Sequence, residues 1–189
     1  MKEEQILSDV VYVTGNDHKA KYFSKMVGLD IPHQKIDVDE IQSLDLREVV
    51  IHKVKGAYAI AKRPVIVEDT SLIIHAMGQL PGTYIKWFLQ ELDVKGLCTL
   101  ADSFVNRGAT AGAMIAYYDG TNLQVFKSEL MGTIASAPIG DSGFGWNVVF
   151  IPDGQQLTLG QMDESTFEHY YKKVKPFQQI RDMLDKIKP

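Results

Sequence analysis

Residues 65–72 read Val-Ile-Val-Glu-Asp-Thr-Ser-Leu, and this stretch carries most of what the sequence says about the fold. Three β-branched residues after Pro64 are typical of a short buried strand, which we expect to end at Glu68 and Asp69. Successive strand residues point to opposite faces, so the two carboxylates share one side only if the chain bends there. Such a pair at the carboxyl end of a central strand commonly binds Mg²⁺ in α/β enzymes. The alternative is a strand end with solvated acids.

Predicted strands and helices alternate along the rest of the chain. We expect strands at residues 10–13, between 33 and 38, and at 109–118, 123–132 and 148–151. We expect helices at residues 19–26, from 46 past 57, from 84 to near 104 in two pieces, and from 177 to 187. The sequence Asp119-Gly120-Thr121-Asn122 indicates a hairpin, which makes one strand pair antiparallel. The predicted fold class is therefore α/β with a mixed β-sheet.

Length and composition favour one globular domain over residues 1–189. Hydrophobic residues make up 45% and charged residues 23% of the chain, which is ordinary for such a domain. The formal net charge of −4 argues against a nucleic-acid polymer as partner, and no apolar stretch is long enough for a membrane span. Cys98 is the single cysteine, so an internal disulfide is excluded. Because the start of the chain does not resemble a signal peptide, we expect a cytoplasmic protein.

Three lysines stand out from the packing pattern. Lys19 lies in the first turn of a helix after Thr14-Gly15-Asn16, where backbone N–H groups and the helix N-terminus favour phosphate; a plain strand-to-helix turn is the alternative. Lys53 lies on the apolar face of its helix, and either reaches solvent at the rim or points into a polar cleft. Lys86 is a cation within an aromatic segment, residues 84–88.

Two further features are weaker when taken alone. Glu40 belongs to an acidic run, and such runs are usually solvated faces. Phe144 and Trp146 flank Gly145 in a turn, which suits side chains that stack on a nucleotide base or line its pocket. A role in the core for at least one of these aromatic residues is the alternative.

Taken together, these residues resemble the inosine triphosphate pyrophosphatase (Ham1-like) family of nucleotide hydrolases. The motifs that carry the resemblance are Thr14-Gly15-Asn16 with Lys19, Glu40-Ile41-Gln42, residues 67–72, residues 80–89, Phe144-Gly145-Trp146 and residues 150–154. The resemblance implies an elongated two-lobed α/β fold, in which a mixed β-sheet is flanked by helices and a nucleotide cleft lies between the lobes. It also implies a homodimer that hydrolyses deaminated purine nucleoside triphosphates such as ITP, dITP and XTP to the monophosphate and pyrophosphate, with Mg²⁺.

The resemblance also implies roles for individual residues. The residues expected to be catalytic are Asp69, Lys19 and Lys53, and those expected to bind the metal are Glu40, Glu68 and Asp69. The residues expected to bind the nucleoside triphosphate are Thr14, Gly15, Asn16, Lys19, Lys53, Thr70, Ser71, Lys86, Phe144, Gly145, Trp146, Asn147, Lys172 and Lys173. Attack on the α-phosphorus needs an activated water, a cation and fixed donors around the phosphates, and these residue types supply them.

The base-recognition segment departs from the family pattern. Asn147 stands in place of the family's aspartate, and Gln161 in place of a glutamate. The family's Glu-Lys-Asn…Ser-His-Arg stretch is absent, and Phe167 takes the position of a lysine that contacts nucleotide. Lys172 and Lys173 replace the His-Arg pair, which keeps positive charge but loses the planar guanidinium.

These departures leave two hypotheses open. Asn147 both donates and accepts hydrogen bonds, whereas aspartate only accepts, so an active enzyme with altered base selection is the first hypothesis. The second is a weakly active or inactive nucleotide-binding or regulatory relative of the family. A third class, a structural interaction protein, leaves Lys53 and the Glu68–Asp69 pair unexplained.

Overall fold

The computed structural model describes residues 9–143 and 145–187, and these residues form a mixed β-sheet with helices. The strands are β1 (Val11–Val13), β2 (His33–Gln34), β3 (Val65–Ile74), β4 (Pro81–Gly82), β5 (Gly108–Tyr118), β6 (Leu123–Ile134) and β7 (Phe150–Pro152). The helices are α1 (Asp17–Val27), α2 (Leu46–Ala61), α3 (Ile85–Asp102), α4 (Glu164–Val174) and α5 (Phe177–Ile187). Short 3-10 helices lie at His75–Met77, Gly145–Val148 and Leu159–Gln161. The α/β prediction is confirmed.

The order of the sheet is β2-β1-β3-β5-β6-β7, with β4 paired to β3. β1 is parallel to both of its neighbours, and Tyr12 is in register with His33 on one side and Ile66 on the other. The β3–β4 and β6–β7 pairs are antiparallel. Between β5 and β6 the Asp119 N–H donates to the Asn122 carbonyl, as expected for the predicted hairpin. The prediction of a mixed sheet is therefore confirmed.

The chain divides into two compact units. The first unit comprises Met1–Asp69, Met114–Lys127 and Lys175–Pro189, and the second comprises Thr70–Ala113 and Ser128–Val174. The divisions fall within β3, β5 and β6. The single domain over residues 1–189 stays a prediction. Within residues 9–143 and 145–187, every helix is too short or too polar to cross a lipid bilayer.

The core of the first unit is built by α2 against β1 and β3. The buried α2 residues have helical spacing, and the strand residues alternate toward them; together these are Leu46, Val50, Val54, Ala57, Val11, Val13, Val65 and Val67. On the α1 side, the ring of Tyr12 stacks on Phe23 at 3.9 Å, and Phe23 meets Phe177 of α5 edge-on at 6.1 Å. This aromatic column packs α1 and α5 against β1, the parallel neighbour of the strand β3 that carries the two carboxylates.

The predicted end of the central strand is wrong. β3 continues to Ile74, so Glu68 and Asp69 lie in the middle of a ten-residue strand. The extension has a physical cause, because the residues after the carboxylates are again strand formers and Leu72 pairs with Gly82 of β4. No bend is needed to separate the two carboxylates, since consecutive strand residues already point to opposite faces.

Other boundaries differ for local reasons. β7 begins at Phe150 rather than at residue 148, because the Val149 N–H is used by the Trp146 carbonyl in the preceding 3-10 turn. The predicted break within residues 84–104 is confirmed at Asp93, whose φ of 55° interrupts α3. The Asp93 carboxylate then accepts from the Gly96 N–H and starts the second piece.

Helix α4 was not predicted from the sequence. Its signals are an N-cap, Asp163, whose carboxylate accepts from the Thr166 N–H at 2.9 Å, and three buried residues at helical spacing, Phe167, Tyr171 and Val174. The spacing is present in the sequence, but polar and charged residues outnumber the apolar ones. This helix carries the segment in which the chain departs from the family pattern.

Candidate active site

Asp69 belongs to a cluster of two carboxylates around one ammonium group, which we name the acidic triad: Glu40, Lys53 and Asp69. Lys53 Nζ lies 2.7 Å from Glu40 Oε1 and 3.5 Å from Asp69 Oδ2. Lys53 neither extends freely into solvent nor packs on apolar residues alone, since 19% of its side chain is exposed beside these two acids. Burial opposes its charge, but the two carboxylates outweigh that effect and raise the pKa of Lys53. The acidic triad carries a net charge of about −1 at neutral pH.

Glu68 belongs to a second cluster, which we name the basic triad: Lys19, Glu68 and Lys175. Glu68 Oε1 lies 2.8 Å from Lys175 Nζ and 3.2 Å from Lys19 Nζ. Glu68 is only 3% exposed, and burial alone would raise its pKa, yet the two ammonium groups hold the pKa below its usual value. Burial lowers the pKa of Lys175 to about 8, so this lysine is largely charged at neutral pH. The basic triad carries a net charge of about +1.

The turn before α1 places Lys19 at a helix N-terminus. The Asn16 side chain caps the helix by accepting from the Lys19 N–H at 3.0 Å, and Thr14 Oγ1 accepts from the Asn16 N–H at 3.1 Å. The Thr14 hydroxyl keeps its own proton to donate. Gly15 is exposed between them. The local geometry is thus that of an anion-binding helix start with a lysine in its first turn.

The remaining predicted substrate residues lie in the second unit, on several elements. Ser71 is buried, Thr70 is half-buried, and Lys86 is exposed with its Nζ 5.2 Å from the Trp87 ring. Lys172 and Lys173 are exposed at the end of α4, where Lys173 Nζ lies 4.9 Å from the Tyr170 ring. None of these three lysines is paired with a carboxylate of the described residues, in contrast to Lys19 and Lys53.

The turn with the aromatic pair presents a buried amide. Trp146 is buried, which is compatible both with a place in the wall of a base pocket and with a place in the core. Asn147, the next residue, is 5% exposed. Within the described part of the chain, Asn147 Nδ2 has no hydrogen-bond partner. A buried donor without a partner is costly, so this amide is suited to an acceptor supplied by a ligand. Gly145 is half-buried, and Phe144 lies outside the described residues.

Two of the departures from the family pattern have structural explanations. Phe167 is buried and its ring stacks on Tyr171 at 5.3 Å, so this position now packs in the second unit. Gln161 can cap its turn as a glutamate would, because its Oε1 accepts from the Thr158 N–H at 3.1 Å in a capping box. The Gln161 departure is therefore conservative, whereas the Phe167 departure removes a charge.

Lys175 was not found by sequence reasoning. It lies between Val174 and Pro176-Phe177, at the connection from α4 to α5, and it is 2% exposed. A lysine flanked by apolar residues was the available signal, but nothing in the sequence indicates that its partner is Glu68, which is 107 residues away.

The acidic triad fits Mg²⁺ by its donor chemistry. Mg²⁺ binds oxygen ligands and is usually held by one or two carboxylates together with substrate phosphates. Glu40 and Asp69 supply such oxygens, and they are close neighbours because both lie within 3.5 Å of one nitrogen. Among residues 9–143 and 145–187, no three histidine, cysteine, aspartate or glutamate side chains converge as a metal cage. The metal role predicted for Glu68 stays a prediction.

Comparison with known proteins identifies the family of this chain. The model of the Ham1 family matches residues 10–183. The chain belongs to the Ham1 family. The resemblance stated from the sequence is thereby confirmed, and the match extends through the departing segment of α4.

Relatives and solved structures support the same assignment. An inosine triphosphate pyrophosphatase of Schizosaccharomyces pombe is 35% identical, over 97% of this chain and 98% of that protein. One of Yarrowia lipolytica is 37% identical, over 93% and 95%. A HAM1 protein from Coxiella burnetii has the same fold, with a TM-score of 0.80, 18% identity, and coverage of 95% of this chain and 99% of that one.

Proposed function

We propose that this chain is a Mg²⁺-dependent nucleoside-triphosphate pyrophosphatase that converts deaminated purine nucleoside triphosphates such as ITP, dITP and XTP to the monophosphate and pyrophosphate. The observation that carries the proposal is the pair of triads on adjacent residues of β3. A cluster of net charge about −1 suits a divalent cation, and one of about +1 suits a polyphosphate. Relatives that match nearly the whole chain are named inosine triphosphate pyrophosphatases.

The residues of the two triads divide the chemistry. A water adds to the α-phosphorus, the bond from that phosphorus to the α,β-bridging oxygen breaks, and the oxygen leaves on pyrophosphate. Asp69 positions this water and takes its proton. Lys53 and Lys19 donate to phosphate oxygens as negative charge develops there. Glu40 and Asp69 would hold Mg²⁺, and the bound ion would neutralise charge on the phosphates.

The turn before α1 contributes fixed hydrogen-bond donors to the triphosphate end of the substrate. The N–H groups at the start of α1 and the Thr14 hydroxyl provide hydrogen bonds that need no rearrangement on binding. Asn16 orients this turn through its bond to the Lys19 N–H. Thr70 and Ser71 follow the carboxylates on β3, and because consecutive strand residues point to opposite faces, each adds one hydroxyl on its own side of the strand.

Base selection is assigned to the second unit. The buried Nδ2 of Asn147 has no partner within the described residues, which favours a base edge that offers an acceptor. Trp146 and Phe144 flank the base, while Lys86, Lys172 and Lys173 supply positive charge. Altered base selection is therefore part of the proposal, and no observation favours the inactive alternative.

The proposal extends to the domain organisation, the oligomeric state and the compartment of the protein. The two units together form one domain, which the family match across residues 10–183 supports. We extend the proposal to a homodimer in the cytoplasm that acts on free nucleotides rather than on a nucleic-acid polymer or a membrane.

A panel of nucleoside triphosphates with Mg²⁺, assayed for pyrophosphate and for orthophosphate, tests the reaction. The proposal predicts pyrophosphate and a monophosphate in equal amounts from at least one deaminated purine triphosphate, and loss of turnover when Mg²⁺ is chelated. Release of orthophosphate instead, or no turnover of any triphosphate despite binding, would overturn it.

A further inference from the structure

The buried ion pair of Lys175 and Glu68 is the part of the basic triad to which the proposed mechanism gives no role. The two charged atoms lie 2.8 Å apart, and the side chains are almost completely buried. Removal of two charges from water is costly, and a buried ion pair is often no more stabilising than apolar residues of the same size. Stability alone is therefore a weak reason for this pair, and its connection to Lys19 is a better one.

Glu68 connects the two lysines through one oxygen atom. Its Oε1 lies within 3.2 Å of both Nζ atoms, so the position of each ammonium depends on the other. Lys19 is the member that keeps contact with solvent, with 12% of its side chain exposed, whereas Glu68 and Lys175 have almost none. A ligand therefore meets the basic triad at Lys19.

The backbones that carry the two lysines are fixed by the same aromatic contact. Phe177 follows Lys175 by two residues, and its ring packs against Phe23, which lies one turn after Lys19 on α1. Pro176 restricts Lys175 to an extended backbone, and the Phe177 N–H donates to the Lys175 carbonyl. The distance between the lysines is thus set by packing and by a rigid turn.

We propose that Lys175 is a positioning residue for the triphosphate. It neutralises Glu68 and fixes its carboxylate, and Glu68 in turn holds the Lys19 ammonium at the start of α1. Glu68 acts here as a buried counterion and not as a metal ligand. Without Lys175, the carboxylate binds Lys19 alone and draws its ammonium inward, away from the phosphates. The inference rests on the proposed function only for the nature of the ligand.

Binding of inorganic tripolyphosphate, measured by calorimetry, tests this without any catalytic turnover. One charge-assisted hydrogen bond to phosphate corresponds to about a tenfold change in Kd. Lys175→Met is expected to raise the Kd by about that factor, as Lys19→Met does. Lys186→Met, at an exposed lysine of α5, is the matched control and is expected to leave the Kd unchanged.

A double-mutant cycle shows whether Lys175 acts through Lys19. In the Lys19→Met background, Lys175→Met is expected to cause no further rise in Kd, because the ammonium that it positions is gone. A further tenfold rise in that background would overturn the proposal, since it would mean that Lys175 acts on the phosphates independently.

A second variant separates positioning from folding. Lys175→Met leaves a buried carboxylate with one ammonium fewer, so its Tm is expected to fall. Glu68→Gln combined with Lys175→Met removes both buried charges, and its Tm is expected to recover while the Kd stays about tenfold high. Recovery of the Kd together with the Tm would show a purely structural role and overturn the proposal. If Lys175→Met does not fold, the double variant carries the test.

The outcomes also separate this inference from the proposed function. If the wild-type protein binds tripolyphosphate, Lys175→Met weakens that binding about tenfold, and no nucleotide is hydrolysed, the proposed function is overturned and the positioning role is supported. A wild-type protein that hydrolyses ITP while Lys175→Met keeps the wild-type Kd overturns the positioning role and leaves the proposed function standing.

Discussion

The charged clusters of the first unit and the base-recognition segment of the second unit differ in how their polar groups are satisfied. Around β3, each ammonium of the two triads has a carboxylate within 3.5 Å, and each carboxylate has an ammonium. In the second unit, Lys86 and Lys172 are exposed, and Asn147 Nδ2 lacks a partner among the described residues. The two triads, whose charges are already paired, are therefore preorganised for one reaction. A segment that contains an unpaired buried amide leaves the choice of base to a small number of side chains.

Asp69→Asn gives the largest effect that this comparison predicts. Loss of the carboxylate that positions and deprotonates the water should lower kcat about 10³-fold, with a smaller change in KM. Pyrophosphate release under saturating substrate measures the change. Asp119→Asn, at the turn between β5 and β6, is the matched control and should keep the wild-type kcat.

Phe167→Ala tests whether Phe167 contributes to packing in the core rather than to substrate binding. Loss of a buried aromatic side chain should lower the free energy of unfolding by about 3 kcal/mol, while kcat/KM stays within a factor of two in the folded protein. Urea unfolding gives the stability, and His169→Ala on the exposed side of α4 is the control. A large loss of kcat/KM without a loss of stability would show that Phe167 contributes to the substrate site and contradict its assignment to the core.

Glu40→Gln tests the metal assignment of the acidic triad. Glutamine keeps the shape of the side chain but removes its charge, so the Mg²⁺ concentration for half-maximal activity should rise about tenfold. A titration of activity with Mg²⁺ measures it. The same titration on Glu68→Gln should give the wild-type midpoint, because Glu68 is assigned to Lys19 and Lys175; an equal shift would make Glu68 a metal ligand.

Asn147→Asp gives the smallest effect, and it should act on selectivity alone. Replacement of the donating amide by a second acceptor should change the ratio of kcat/KM between two bases by about fivefold, since one hydrogen bond is exchanged. Competition between pairs of triphosphates measures that ratio directly. A change in kcat that is the same for every base would place Asn147 outside base selection.

Local sequence predicted the first unit well because its signals are local. The β-branched run at the start of β3, the helical spacing of α2 and the helix start after Thr14 each follow from residues close together in the chain. The length of β3 was missed because strand formers resume after Asp69, so the carboxylates interrupt the pattern without ending the strand. Charged side chains within a buried strand are rare enough that an end was the better expectation.

The residues of the candidate site were predicted, but which lysine pairs with which carboxylate was not. The sequence and the family resemblance supplied Lys19, Glu40, Lys53, Glu68 and Asp69, yet treated the three carboxylates as one metal set. Their division into two triads depends on the opposite faces of β3 that Glu68 and Asp69 occupy and on Lys175, whose contact spans 107 residues. Such a long-range ion pair leaves no periodic signal in a single sequence.

The most direct test of the account compares the substrate profiles of three proteins over one panel of nucleoside triphosphates with Mg²⁺, by pyrophosphate release. We expect Asp69→Asn to lower the rate on every substrate by the same factor, and Asn147→Asp to change the order of substrates while the best rate stays near that of the wild type. A reordered profile for Asp69→Asn, or a uniform loss for Asn147→Asp, would contradict the division between a hydrolytic region on β3 and a base-selecting region in the second unit.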